Sequence, residues 1–122
     1  MLNNTSSKSA LVGRWYFVSI SDSSSKTTDP SDLGLDKNTP IMIFNKNNRA
    51  KGWETSSRLD ERTGRVIHSK GYVNGTYKVN GNFLKVKLGT NVSSAKYRLK
   101  NNNKILEIFY QGEGMTLVLR KK

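Results

Sequence analysis

The chain has no cysteine, only two prolines, a single histidine and no apolar run long enough to cross a bilayer. Without cysteine there are no disulfides, no thiolate metal ligands and no thiol nucleophile, so stability must come from a packed core. His68 sits among Ile67, Ser69 and Lys70 with no carboxylate close in sequence to orient it, which removes the usual basis for imidazole catalysis or a zinc centre. Acids are scarce as well. Four of the nine, Asp22, Asp29, Asp32 and Asp36, fall in one unpatterned segment, but without the alternate spacing and glycine of a calcium loop. Glu107 and Glu113 are separated by a turn, and no local pattern marks them as an acid and base pair. The expectation is a non-enzymatic domain with no metal and no cofactor.

Lys and Arg number 21 against nine acids, a net charge of +12, and such an excess suits a polyanion partner where the cations cluster. Here they are spread. The one consecutive basic run is Arg120-Lys121-Lys122, and no loop carries a Gly-Lys-Ser/Thr phosphate cradle. The charge is therefore read as a solvated surface rather than a nucleic-acid or anionic-polymer site. Residues 1–9 are polar and lack the apolar stretch of a signal peptide, so they read as a flexible tail. Residues 10–122 suit one domain, since a chain of this size buries roughly two thirds of its surface on folding.

What is present is alternation. Apolar residues, 34% of the chain, fall in short period-2 runs separated by Asn and Gly, the pattern of a globular β protein rather than of disorder. The first run, Gly13 to Ser21, places Trp15 and Phe17 on one face and Tyr16, Val18 and Ile20 on the other. The segment Asp22 to Asn38 follows, in which Asp29-Pro30-Ser31-Asp32 can cap one helical turn. Further strands are expected at Pro40–Phe44, 49–59, 65–79, 83–88, 95–100, 104–111 and 115–121. Their boundaries are turn clusters such as Asn45-Lys46-Asn47-Asn48, Asn80-Gly81-Asn82 and Asn101-Asn102-Asn103. The run 65–79 is long, with Gly71 and Gly75 where a bend is expected.

These make eight strands, each joined to the next by a turn apart from the long first loop. With no helix long enough to cover a sheet face, the meander must roll up, giving an all-β, eight-stranded antiparallel up-and-down barrel in which the first and last strands pair.

Gly13-x-Trp15, the long loop after it, the hairpin Gly75-Thr76-Tyr77-Lys78-Val79-Asn80-Gly81-Asn82-Phe83-Leu84 and the closing Leu117-Val118-Leu119-Arg120 resemble the small lipocalin-like domains of bacteria, within the wider calycin superfamily. The resemblance spans about residues 10 to 121. It implies that Gly13 and Trp15 plug the closed end of the barrel and that Arg120 packs across the indole. It also implies a cell-envelope protein, periplasmic or membrane-anchored after export, with Met1 standing where a lipid-bearing cysteine would precede the domain; a cytoplasmic protein is the alternative. Unlike vertebrate lipocalins, the chain has no disulfide and no helix after the last strand, which would leave an outer apolar face bare.

Two functions follow from the barrel. In the first, a small hydrophobic or amphipathic ligand enters the interior, lined by Phe17, Tyr77, Val86, Leu88, Tyr97, Ile108, Tyr110 and Met115. Tyr97 and Tyr110 would then stand at the rim and the Asp22 to Asn38 loop would be the lid. In the second, those side chains fill the barrel and its outer face meets a protein or an anionic polymer. Tyr16, Val18, Ile20, Ile105, Phe109 and Val118 would form an outer apolar patch suited to a homodimer, unless the tail covers it. Lys78, Lys85, Lys87, Lys96, Arg98 and Lys100 would form one basic face.

Overall fold

A computed structural model describes residues 9–122, with the side chains at 55–57 and 68 outside that description. The expected tail thus lies outside the described residues except for Ser9, which with Ala10 and Leu11 forms a helical turn; the side chain of His68 lies outside them too. The strands are β1 (Gly13–Ser21), β2 (Lys26–Thr27), β3 (Met42–Phe44), β4 (Arg49–Asp60), β5 (Arg65–Asn80), β6 (Phe83–Leu88), β7 (Asn91–Lys100), β8 (Ile105–Tyr110) and β9 (Met115–Lys121). Pairing follows chain order from β3 to β9, β1 pairs with β3, and β9 returns to β1, so eight antiparallel strands close into a barrel. β2 is a two-residue addition beside Ile20 and Ser21.

The turns follow from the residues between the strands. Asn101, Asn102 and Asn103 all adopt left-handed backbone, φ 53°, 57° and 66°, a conformation that asparagine tolerates better than most side chains. Asp29 caps the 3-10 turn Pro30–Leu33, its carboxylate accepting from the Ser31 N–H, with proline at the first helical position. β5 is continuous over sixteen residues, pairing with β4 along 65–76 and with β6 along 75–80. Gly75 lies where the two pairings overlap, and a Cβ there would meet the Lys87 carbonyl oxygen at 1.7 Å. Only glycine lets β6 approach that closely.

One feature of β1 differs from plain alternation. Phe17 is opposite Leu119, but Ser19 is opposite Val118, so Val18 is an extra, bulged residue. The bulge reverses the facing of everything beyond it. Ile20 now shares a face with Leu117, which packs against the core, and so leaves the outer apolar patch.

The inward faces form one core of Trp15, Phe44, Ala50, Tyr77, Leu84, Val86, Ala95, Tyr97, Leu106, Ile108 and Leu119, closed below by Leu11. Beyond Gly71 and Glu54, β4 and β5 pair only with each other and run out as a two-stranded arm to the turn at 61–64. Leu59 and Val66 face each other near its tip at 62% and 56% exposure.

Candidate functional site

At the end where β1 begins, the barrel is sealed. Trp15 is completely buried and its Nε1–H donates to the Leu11 carbonyl at 2.8 Å. This bond is available because the helical turn at 9–11 lays Leu11, itself fully buried, across the barrel floor. The expected cation over the indole is present but is not Arg120. Arg120 is opposite Tyr16 on the outer side and is exposed. The alternation that turns Leu117 and Leu119 inward turns residue 121 inward with them. Lys121 Nζ therefore stands 5.2 Å from the Trp15 ring centroid and donates to the Ala10 carbonyl at 2.6 Å. Burial holds its ammonium below the ordinary lysine value. Gly13 makes the room: at φ 142° it has no side chain, and a Cβ would sit 3.2 Å from Lys121 Cε.

Through the middle, the expected ligand-lining residues are core. Phe17, Tyr77, Val86, Tyr97 and Ile108 are all buried. Tyr77 stacks at a tilt against Phe44, ring centroids 4.6 Å apart, and donates its hydroxyl to the Asn45 carbonyl at 2.7 Å. Burial raises its pKa. Tyr97 is not at the rim. β7 begins at Asn91 rather than at 95, which moves Tyr97 down the strand to the sealed end, where its hydroxyl donates to the Gly81 carbonyl at 3.3 Å.

The opposite end is where β6 and β8 finish and β9 starts. Leu88, Tyr110 and Met115 are half-buried there, with Ile20 and Leu117 beside them. The bulge at Val18 is what brings Ile20 to this group. Burial, and secondly the Glu113 carboxylate, raise the Tyr110 phenol above its ordinary value. The result is an end of half-buried apolar side chains with one phenol, above a filled centre.

The long loop runs along the wall beside β1, where its Lys26–Thr27 pairs with Ile20 and Ser21. β3 covers only the first part of β1, and the loop fills the gap this leaves in the wall. The Ile41 N–H donates to the Trp15 carbonyl and the Trp53 N–H to the Ile41 carbonyl, each at 2.9 Å, while the Tyr72 hydroxyl reaches the Pro40 carbonyl at 2.8 Å. Trp53 and Tyr72 meet edge to face on that wall, centroids 5.0 Å apart. A cleft of about 640 Å³ opens between Trp53 and Lys70 on one side and the loop residues Asp29, Leu35 and Asp36 on the other. The Ser31 hydroxyl and then its N–H hold the Asp29 carboxyl below the ordinary range.

The expected outer apolar patch is dressed by charged side chains at Tyr16 and Phe109, while Val18 stays exposed. Tyr16 faces outward yet is only 8% exposed, with Lys122 Nζ 5.0 Å from its ring. Arg98 lies 5.7 Å from the Phe109 ring while its guanidinium donates to Glu107, Nε at 2.8 Å and Nη2 at 2.6 Å. Long basic side chains laid along an apolar wall do part of the work expected of a covering helix.

The class this geometry defines is a closed, eight-stranded antiparallel β-barrel with one sealed end. No family model, curated protein or solved structure matches the chain.

Proposed function

We propose that the protein is a non-enzymatic, lipocalin-like binding module that takes a small hydrophobic or amphipathic molecule at the half-open end of its barrel. The observation that carries this reading is the asymmetry of the two ends. One is shut by Leu11, Trp15 and Lys121, whereas the other leaves Ile20, Leu88, Tyr110, Met115 and Leu117 half-buried. Half-buried apolar side chains around a single phenol suit a ligand with a greasy body and one polar handle. The filled centre limits the ligand to one that seats at the mouth rather than in depth. The sequence resemblance to small bacterial lipocalin-like domains supports the same class of function, together with a place in the cell envelope.

Titration with an apolar fluorescent dye tests it. Saturable binding to the wild type is expected, weakened about tenfold or more by Tyr110→Ala and by Met115→Glu, since each removes or charges a wall of the site. No binding, or equal binding by all three folded proteins, would refute it.

A second reading has its own observation. Trp15, Phe44, Leu106 and Leu119 are at most 1% exposed, so the barrel is as much a filled scaffold as a vessel, and the cleft of about 530 Å³ is lined by the outward-facing Thr76, Lys78, Lys85 and Lys87 together with Tyr77 and Val79. Such a scaffold serves to present its outer face to a partner.

A further inference from the structure

We infer that the outer face of β5, β6 and β7 is a binding surface for single-stranded nucleic acid. The inference rests on the scaffold reading of the barrel and is independent of the mouth. Lys78 is directly opposite Lys85, Lys87 is opposite Thr76 and Val92, and Lys96 is opposite Phe83. Arg98 and Lys100 continue the face, and residues 76–100 contain no Asp or Glu. Glu107 on the neighbouring strand is engaged by Arg98 and Lys100. Among the described residues no ion pair reaches Lys78, Lys85, Lys87 or Lys96. Like charges placed opposite each other across a ladder destabilise a sheet, so this face carries a cost that an anionic partner would relieve.

Two further features select the kind of anion. The lysines do not stand on a smooth wall: Lys78, Lys85 and Lys87, with Asn48 and Thr76, line a groove of about 530 Å³. A thin flexible chain can lie in a groove, whereas a planar lipid surface cannot enter it. Beside the groove, Phe83 is 43% exposed with Lys96 Nζ 5.9 Å from its ring centroid. An exposed aromatic ring flanked by cations is what an unpaired base stacks on, while phosphates follow the lysines. A duplex keeps its base faces covered and would make no use of Phe83.

The test is fluorescence anisotropy of a labelled oligothymidylate about ten nucleotides long, at low salt. Binding is expected, weakening about 50-fold between 50 and 200 mM salt if four lysines contact phosphates, at about 0.7 of log-log slope each. Lys85→Gln with Lys87→Gln should flatten that slope by about 1.4. Phe83→Ala should weaken binding about 5- to 150-fold and leave the slope unchanged. Sulfated polysaccharide, duplex DNA and phosphatidylserine vesicles serve as comparison ligands, and circular dichroism with a thermal melt reports that each variant is folded. Absence of oligothymidylate binding at low salt overturns the proposal. So does a Phe83→Ala protein that binds like the wild type, or tighter binding to any of the three comparison ligands, which would mark a different anionic partner or a general polyelectrolyte effect.

Discussion

Trp15 is enclosed on every side, and each neighbour that encloses it can be tested singly. Trp15→Ala removes the largest fully buried side chain and is expected to cost about 3 to 5 kcal/mol. Lys121→Ala loses the cation over the indole and the bond to Ala10, about 1 to 2 kcal/mol. Arg120→Ala should stay within about 0.5 kcal/mol, because its side chain is exposed on the outer wall. Denaturant melts of the three proteins decide the matter, and an Arg120 effect larger than that of Lys121 would mean the last strand is out of register. Tyr110 supplies a pH test. Its folded-state pKa is raised above the ordinary 10.0, mainly by burial, so the folded state holds its proton where the unfolded chain has released it. The stability this gives is fully present below pH 10.0 and is lost as pH climbs through the raised value. Lys121 opposes it: its folded pKa is lowered from 10.5, so its titration adds stability as pH rises toward that value. Tyr110→Phe should therefore flatten the alkaline decline in Tm, and an unchanged decline would show that burial of this phenol is not its source. The Trp15 plug was legible from sequence because a tryptophan in a polar chain has few places to be buried. The identity of its cation was misassigned for want of parity: Arg120 shares a face with Val118, and Lys121 with Leu119.

Strands were the most legible elements, since asparagine and glycine clusters fix where each run stops and alternation fixes its period. β1, β6 and β9 begin and end where the pattern places them. β7 starts four residues earlier than expected, because Asn91, Val92, Ser93 and Ser94 carry little apolar signal although their backbone pairs with β6. The Val18 bulge had no sequence mark at all, valine being an ordinary strand residue, and it alone decides that Ile20 faces in. The loop's role as part of the wall depended on how short β3 is, which no local signal reports. Gly75 is the element-scale test. Gly75→Ala drives a Cβ into the Lys87 carbonyl, a backbone atom that cannot swing aside, and is expected to cost about 1 to 3 kcal/mol. Gly71→Ala meets nothing within 4 Å and should change stability far less. Comparable losses at both positions in thermal melts would contradict the close β5 and β6 approach.

At the scale of the whole molecule, the barrel divides into a shut floor, a filled centre and an end of half-buried apolar side chains. Closure follows from physical necessity, as eight alternating strands without a covering helix have no other way to bury one face. How deep an internal site can be does not follow from alternation, because inward residues look the same in sequence whether they line a cavity or meet at the centre. Here Phe44 and Tyr77 pack ring against ring and Tyr97 is buried in the same core, so the proposed ligand is assigned to the mouth. The most direct measurement is a titration of the isotope-labelled protein with a small amphipathic ligand, followed by amide and methyl NMR shifts. The shifts should gather at Ile20, Leu88, Tyr110, Met115 and Leu117 and spare Leu11, Gly13 and Trp15. Shifts confined to the outer wall, or none at saturating ligand, would contradict a binding site at the open end.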